Sequence, residues 1–234
     1  MKNIVITGAN RGLGYELAAE AAARGYQVWA GVRGPGSSAE KLLALAEQYP
    51  EQVHVLPLDV TDEASVRYAF QELAARIDSL DIVINSAAIL LGRDQKLEGL
   101  EMELVEQSFQ TNLYGPMLVM KHALPLLKKG SDQAIINVSS EAGSMAGAYG
   151  GDYGYALSKS ALNMFTAQLR KQFSPLGYAV YAVHPGWIRT DMGGEKAPGN
   201  AGESAAGILD LAERKQGDAE GAFFVNQRGE PMKL

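Results

Sequence analysis

The 234-residue sequence contains no cysteine, which excludes disulfide bonds, thiolate metal sites and a thiol nucleophile. It has no apolar stretch approaching the roughly 18 residues that a membrane span needs, and no charged leader followed by a hydrophobic run. It also lacks basic runs, and its net charge of −6 disfavours a protein that tracks nucleic-acid phosphates. We therefore expect a cytoplasmic protein with neither membrane nor nucleic-acid partners.

Several catalytic patterns are absent as well. The three histidines, His54, His122 and His184, have no partner at metal-ligand spacing, so no metal site is expected. The sequence contains no G-x-S-x-G, the turn that exposes a hydrolase serine, and no G-x-x-x-x-G-K-[ST] loop. Serine-elbow hydrolysis and nucleoside triphosphate hydrolysis are therefore disfavoured.

What the sequence does contain is an alternation of short apolar runs with amphipathic segments. Hydrophobic residues make up 47% and charged residues 21%, as in ordinary globular proteins. The pattern predicts strands at 4–7, 27–32, 52–58, 81–85, 134–138, 178–183 and 222–225, and helices at 12–23, 39–48, 62–77, 100–128, 155–173 and 202–213. The glycine- and proline-rich stretches 34–37 and 193–202 are expected to be loops within the domain. We predict one α/β domain over 1–234, a Rossmann-type doubly wound sheet of seven parallel strands with helices on both faces.

A glycine-rich segment joins the first predicted strand to the first helix. It reads Thr7-Gly8-Ala9-Asn10-Arg11-Gly12-Leu13-Gly14 and has the spacing G-x-x-x-G-x-G. Free backbone N–H groups and the positive end of the helix would meet where a pyrophosphate could bind, and glycines allow its close approach. A structural turn is the alternative, but the flanking strand and helix favour a dinucleotide site. Its expected residues are Gly8, Asn10, Arg11, Gly12, Leu13 and Gly14.

A tyrosine and a lysine lie four residues apart in a predicted helix. The spacing of Tyr155 and Lys159 puts the phenol and the ammonium on one helix face, whereas four residues beyond Tyr153 stands Leu157. A free tyrosine has a pKa of about 10, and a nearby cation stabilises phenolate and lowers that pKa toward the working range. The pair is therefore a candidate for general acid–base catalysis.

Two serines, Ser139 and Ser140, close the fifth predicted strand. In a parallel sheet, ligands bind beyond the carboxyl ends of the strands. A hydroxyl there could donate a hydrogen bond to a substrate carbonyl. Either serine could do so.

Taken together, these motifs resemble those of the short-chain dehydrogenases/reductases, and of their carbonyl-reductase-like branch in particular. The glycine loop matches the family's Thr-Gly-x-x-x-Gly-x-Gly completely, and the Tyr155 and Lys159 pair follows in the expected order. Residues 185–192 read Pro-Gly-Trp-Ile-Arg-Thr-Asp-Met, close to the branch's Pro-Gly-Trp-Val-Arg-Thr-Asp-Met. One element departs: residues 85–88 read Asn-Ser-Ala-Ala where the family usually has Asn-Asn-Ala-Gly, which puts the local hydrogen bonding in question.

The resemblance implies a catalytic set of Ser140, Tyr155, Lys159 and Asn112. In the family the second serine of the pair usually acts, although the longer separation from Tyr155 here leaves Ser139 as an alternative. Lys159 would also bind the nicotinamide ribose, and Asn112 would help hold a water that links the lysine to solvent. The implied cofactor contacts are Asp59, Val60, Asn85, Ala87, Tyr155, Lys159, Pro185, Gly186, Trp187, Ile188 and Thr190.

The choice between NAD and NADP depends on what meets the adenosine ribose. A carboxylate accepts a hydrogen bond from a free 2′-hydroxyl, whereas a guanidinium pairs with a 2′-phosphate. The second strand ends without an acidic residue, Arg33 stands just past the position where NAD-dependent members carry Asp, and Arg11 lies within the glycine loop. We therefore expect NADP(H).

The expected activity is NADPH-dependent reduction of a ketone or aldehyde, or oxidation of the alcohol in reverse. One alternative is a regulatory or scaffold protein that binds NADP(H) without turnover, since a fold alone does not imply a function. Another is a dehydratase or epimerase on the same fold. Tyr149, Tyr153, Trp187 and Met192 either line a substrate pocket or are exposed loop side chains. The resemblance also allows a homodimer or homotetramer.

Overall fold

The computed structural model describes residues 1–34, 39–215 and 221–234. Of the loop predicted at 34–37, only Gly34 lies within these ranges. Seven strands form one parallel sheet: β1 (Asn3–Thr7), β2 (Gln27–Val32), β3 (Val53–Pro57), β4 (Ile82–Asn85), β5 (Ala134–Val138), β6 (Ala179–His184) and β7 (Phe224–Asn226). Each predicted strand is present, with bounds that differ by two residues at most.

The helices also follow the prediction, with one difference. They are α1 (Gly12–Ala23), α2 (Glu40–Gln48), α3 (Glu63–Ala74), α4 (Met102–Phe109), α5 (Gly115–Leu127), α6 (Tyr153–Phe173) and α7 (Ala201–Ala212). The single helix expected over 100–128 is instead α4 and α5 joined by a π-helical turn, Gln110–Tyr114. Such a turn inserts a residue into the helical repeat, which apolar periodicity over a long window does not reveal.

The order of the strands creates the cleft. Across the sheet it is β3-β2-β1-β4-β5-β6-β7, so the chain winds outward from β1 and then returns to place β4 on the other side of β1. Loops that follow β1 and β4 diverge to opposite faces of the sheet at this point. The doubly wound fold is thereby confirmed, and its ligand cleft lies at the carboxyl ends of these central strands.

Two apolar clusters hold the layers together, one on each face of the sheet. On one face, Leu17 of α1 and Ile208 of α7 pack against inward residues such as Ile6. On the other face, α3, α5 and α6 cover the sheet through residues that include Val66, Met120 and Leu169. Because both faces are covered, the strands are apolar on both sides, as their sequences predict. Over the described residues, no helix combines the length and apolar character needed to cross a membrane.

Candidate active site

The glycine loop turns tightly against the segment that follows β4. Gly8 has a φ of +69°, and a Cβ there would come 2.8 Å from the Cα of Ala87. A Cβ on Gly14 would come 2.2 Å from the carbonyl oxygen of Gly8. Gly12 has a φ of +53° at the first position of α1. These positions accept only glycine, because a side chain would collide with backbone or strain it.

The hydroxyl of Thr7 secures the neighbouring turn. It accepts hydrogen bonds from the N–H groups of Ser86 at 3.0 Å and Ala87 at 3.1 Å. The backbone beside the loop is therefore hydrogen-bonded at Ser86, one of the two positions that depart from the usual family sequence, and at Ala87, which matches it. The sequence pattern includes Thr7 as the first residue of the glycine motif but assigns it no role. Its place at the end of an apolar strand was the available signal, and the structure buries its side chain there.

The N-terminus of α1 fits an anionic group. No side chain caps this helix, and its first turn contains no acidic residue, so the N–H groups of that turn are left for a ligand. Leu13 is buried beneath the loop and Asn10 is half-buried within it. The Arg11 side chain contacts Asp191, with Nη1 2.7 Å from Oδ2. Arg33 is exposed immediately after β2, as expected for a group that meets a phosphate.

The residues at the end of β3 have local structural partners. Asp59 Oδ1 accepts hydrogen bonds from the Thr61 N–H at 2.9 Å and the Thr61 hydroxyl at 2.7 Å, which closes a turn. Val60 is buried against Gly115, where a Cβ would come 2.9 Å from Val60 Cγ2. The structure thus gives Asp59 and Val60 a local role, and their contact with the cofactor stays a prediction.

The turn after β6 faces the glycine loop. Thr190 lies against Gly12, with its Cγ2 3.4 Å from where a Cβ on that glycine would stand. Gly186 has a φ of +85°, and Ile188 is buried. The carbonyl of Pro185 accepts a hydrogen bond from Ser204 of α7 at 2.8 Å, which anchors the turn. The indole of Trp187, 55% exposed, donates to the carbonyl of Gly193 at 2.8 Å.

The predicted tyrosine and lysine do share one buried face of α6. Tyr155 is 9% exposed and Lys159 is 2% exposed. Lys159 Nζ donates a 2.7 Å hydrogen bond to the carbonyl of Val138 at the end of β5, and it lies 5.6 Å from the centroid of the Tyr155 ring. Packing of α6 over the end of β5 therefore brings the pair to the carboxyl edge of the sheet.

The electrostatics of this pair differ from the sequence expectation. Burial raises the pKa of Tyr155, and a hydrogen bond with Ser140 opposes that increase. Burial also lowers the pKa of Lys159 to about 7, so near neutral pH the lysine carries only part of its charge. In the protein alone the pKa of the phenol is therefore raised, because desolvation by burial outweighs the interactions that favour phenolate.

The structure separates the two candidate serines. Ser140 is half-buried, its hydroxyl hydrogen-bonds the phenol of Tyr155, and it accepts from the Ala142 N–H at 3.1 Å. Ser139 is 2% exposed and donates a 2.6 Å hydrogen bond to Asn163 Oδ1 inside the protein. Of the two, Ser140 has the hydroxyl that meets the acid–base candidate.

Asn112 lies in the π-helical turn and is completely buried. Its amide clamps the backbone of Ile89: Oδ1 accepts from the N–H and Nδ2 donates to the carbonyl, both at 2.9 Å. Nδ2 also lies 3.0 Å from Ser158 Oγ, which in turn donates to the Tyr155 carbonyl at 2.8 Å. Asn112 therefore ties the loop after β4 to the helix that carries Tyr155.

A family model described as short chain dehydrogenase matches residues 2–201 of the chain. The chain belongs to the short-chain dehydrogenase family. An NADPH-bound carbonyl reductase from chicken fatty liver superposes with a TM-score of 0.89 at 33% identity, over 100% of this chain and 99% of that one. Carbonyl reductase Sniffer of D. melanogaster gives 0.89 at 30% identity over 100% of both chains. The C-signal of Myxococcus xanthus is 34% identical over 149 residues, 63% of this chain and 89% of that protein.

This short-chain dehydrogenase also contains a buried polar chain that sequence reasoning missed. Asn85 Nδ2 donates to Asn137 Oδ1 at 2.8 Å, and Asn137 Nδ2 donates to Thr166 Oγ1 at 2.8 Å. The Asn85 side chain thus points into the protein, and its contact with the cofactor stays a prediction. The available signal was the polar stripe Tyr155, Lys159, Asn163 and Thr166, which repeats at helical spacing along α6.

The loops around the mouth of the short-chain dehydrogenase cleft are linked to each other. Arg93, in the loop after β4, donates a 2.9 Å hydrogen bond to the Met192 carbonyl in the loop after β6. Tyr149 is exposed in the segment before α6, and Tyr153 is half-buried at the first position of that helix. Sequence reasoning did not single out Arg93, since an exposed arginine in a loop carries no pattern.

The histidines have individual partners. His54 stacks on Trp29, His122 contacts Glu63, and His184 Nδ1 accepts from the Glu141 N–H. Within 1–34, 39–215 and 221–234, no group of three or more metal-ligating side chains occurs. A structural role fits each of the three.

Proposed function

We propose that this chain is an NADPH-dependent reductase of ketones or aldehydes in which Tyr155 is the proton donor. The observation that carries the proposal is a buried phenol that hydrogen-bonds Ser140 and lies beside Lys159 at the carboxyl edge of the sheet. The similarity to two carbonyl reductases, one of them NADPH-bound, supports the substrate class and the cofactor.

The chain offers a fitting site for NADP(H). The N–H groups at the start of α1 would hold the pyrophosphate, and Arg33 with Arg11 would pair with the 2′-phosphate. The turn at 185–190 would cover the nicotinamide, with Lys159 on the ribose. When bound, NADPH supplies the hydride that reduces the carbonyl carbon.

The side chains would handle the carbonyl oxygen. Ser140 would donate a hydrogen bond that orients it, and Tyr155 would transfer its proton to it as the alkoxide forms. Asn112 would keep α6 and the loop after β4 in register. In the alcohol-oxidising direction the same proton would return to Tyr155.

Replacement of Arg33 by aspartate is expected to reverse the preference for the cofactor. The lost charge-assisted pair and the new repulsion should weaken NADPH binding about 10- to 100-fold, whereas NADH binding should change little or improve. Fluorescence titration with both cofactors measures this. Arg76→Asp introduces the same charge change beyond the far end of α3 and should leave both affinities unchanged; equal losses in the two variants would contradict the assignment of Arg33.

The proposed function is tested by NADPH oxidation against a panel of aldehydes and ketones, with NADH as the control cofactor. We expect turnover that requires NADPH and yields the alcohol in equal amount. A product formed without net oxidation or reduction would indicate a dehydratase or epimerase instead. Failure to bind either cofactor would contradict the assignment of the glycine loop as a dinucleotide site, and with it the proposed reductase activity.

A regulatory role without turnover is the second candidate. The similarity to the C-signal of Myxococcus xanthus favours it, because that relative is named for a signal. Against it stands the complete set of Ser140, Tyr155, Lys159 and Asn112, which binding alone does not require. Tight NADPH binding without turnover on any carbonyl would support this candidate.

The cellular setting and the partners are part of the same proposal. We propose a cytoplasmic enzyme whose partners are small carbonyl or alcohol substrates. Assembly into a homodimer or homotetramer stays a prediction, which the molar mass measured by light scattering would test.

A further inference from the structure

A buried asparagine lies just over two turns beyond Tyr155 on the same face of α6. Asn163 is 2% exposed in the middle of that helix. Asparagine is a mediocre helix former, and burial of its amide is costly unless the amide is hydrogen-bonded. The partners of this amide therefore indicate why a polar residue occupies the position.

Both partners of the Asn163 amide belong to the turn after β5. Oδ1 accepts a 2.6 Å hydrogen bond from the Ser139 hydroxyl, and Nδ2 donates a 3.2 Å hydrogen bond to the Gly143 carbonyl. These two residues begin and end the segment 139–143, in which Ser140 is the second residue. One buried side chain therefore holds this segment at both ends.

Ser140 is fixed within the segment by hydrogen bonds of the turn itself. Its carbonyl accepts from the Gly143 N–H at 3.0 Å, and its hydroxyl accepts from the Ala142 N–H at 3.1 Å. The Gly143 end lies directly on α6, since a Cβ on this glycine would come 2.7 Å from the backbone carbonyl carbon of Lys159. A shift of either end would therefore move the Ser140 hydroxyl relative to α6, the helix that carries Tyr155.

We propose that Asn163 is a positioning residue for Ser140: its amide clamps the segment 139–143 onto α6 and thereby sets where the Ser140 hydroxyl stands relative to the Tyr155 phenol. The proposal rests on the proposed function, in which Ser140 orients the carbonyl oxygen. It also gives Ser139 a role, because the buried hydroxyl of that serine is one of the two points that the clamp holds.

The decisive variant is Asn163→Leu, which keeps the branched shape of the side chain and removes both hydrogen bonds. The segment retains another anchor, the hydrogen bond from the Glu141 N–H to His184 Nδ1. We therefore expect a looser turn in a folded protein. Because a misplacement of about 1 Å can cost about 100-fold in rate, kcat for carbonyl reduction should fall about 10- to 100-fold. NADPH affinity should change little.

A double variant tests whether the loss acts through Ser140. In the Ser140→Ala background, Asn163→Leu should lower kcat by no more than about twofold, because the hydroxyl that it positions is already absent. Ser139→Ala removes one hydrogen bond with a smaller change in shape, and it should show the same dependence on Ser140 with a smaller loss. An unchanged kcat in Asn163→Leu, or equal losses with and without the Ser140 hydroxyl, would overturn the inference.

Thr166→Val is the matched control. Thr166 is buried on the same face of α6, one turn further from Tyr155. Its hydroxyl accepts from Asn137 Nδ2 at 2.8 Å and donates to the Leu162 carbonyl at 2.7 Å. Valine has the same shape, so this variant also removes two buried hydrogen bonds from α6, at residues outside the segment 139–143. It should lower the unfolding temperature and leave kcat unchanged.

Hydrogen–deuterium exchange separates this inference from the proposed function, because it needs no turnover. Peptides that cover 139–144 report the amides of Ala142 and Gly143, which close the turn. These amides should exchange faster in Asn163→Leu than in the parent, and at the parent's rate in Thr166→Val. That result supports the clamp even if the parent reduces no carbonyl, in which case the proposed function alone fails. Unchanged exchange in Asn163→Leu, or the same increase in both variants, would overturn the inference.

Discussion

Tyr155→Phe is expected to lower kcat/KM for carbonyl reduction by about 10²- to 10⁴-fold, the usual contribution of a positioned general acid. The phenol that would donate the proton is removed, whereas the ring still fills the same buried space. NADPH affinity and the unfolding temperature should therefore change little. Steady-state NADPH oxidation, NADPH titration and thermal unfolding measure the three quantities.

Tyr178→Phe is the matched control for this variant. Tyr178 is another buried tyrosine, which packs against Phe173 at the far end of α6. It should retain the parent's activity. If Tyr155→Phe kept most of its turnover while Tyr178→Phe behaved like the parent, another group would have to supply the proton.

Lys159→Met is expected to lower turnover strongly and yet stabilise the protein. The ammonium that would bind the ribose and influence Tyr155 is lost, so kcat/KM should fall by about 10²-fold or more. Methionine fills a similar volume without a charge to desolvate. We expect the free energy of unfolding at about pH 7, without added cofactor, to rise by about 2–4 kcal/mol, after allowance for the Val138 carbonyl that loses its donor.

The pH dependence of that stabilisation follows from the shift in the lysine pKa. Burial lowers the pKa of Lys159 from 10.5 to about 7 on folding. Between these values the unfolded chain binds a proton that the folded protein does not, so this group's penalty is full below about pH 7 and declines as pH rises toward 10.5. The advantage of Lys159→Met should therefore shrink in urea unfolding at about pH 10.

Lys121→Met provides the comparison at an exposed site. Lys121 is exposed on α5 and pairs with Glu63, and such pairs contribute about 1 kcal/mol or less. Its removal should leave turnover unchanged and should not stabilise the protein. A Lys159→Met protein that is less stable than the parent at both pH values would show that the buried lysine is a net structural contributor.

The elements of the fold were predictable because they depend on local patterns. Apolar runs such as Ile4 to Thr7 indicate buried strands, and the glycine loop with its flanking strand and helix indicates where a phosphate can bind. The helical spacing of Tyr155 and Lys159 fixes their common face. Each of these inferences spans a few consecutive residues; the structure confirms the strand, the helix after the glycine loop and the shared face of Tyr155 and Lys159, and phosphate binding stays a prediction.

Contacts between distant segments were not predictable in this way. Burial by several elements raises the pKa of Tyr155. The prediction of a lowered pKa, which considered only the neighbouring lysine on the same helix, was therefore wrong for the protein without cofactor. Asn112, in the π-helical turn, hydrogen-bonds the backbone of Ile89 in the loop after β4. Arg93 in that same loop donates a hydrogen bond to the Met192 carbonyl in the loop after β6. None of these has a signature in one stretch of sequence.

The sequence by itself determined the α/β fold, the glycine loop between β1 and α1, the family and the candidate residues, because spacing along a helix or strand dictates which side chains share a face. Only the tertiary structure decided which serine meets Tyr155 and that Lys159 is desolvated against the Val138 carbonyl. The physical reason is that burial and long-range hydrogen bonds arise where segments far apart in the chain pack together.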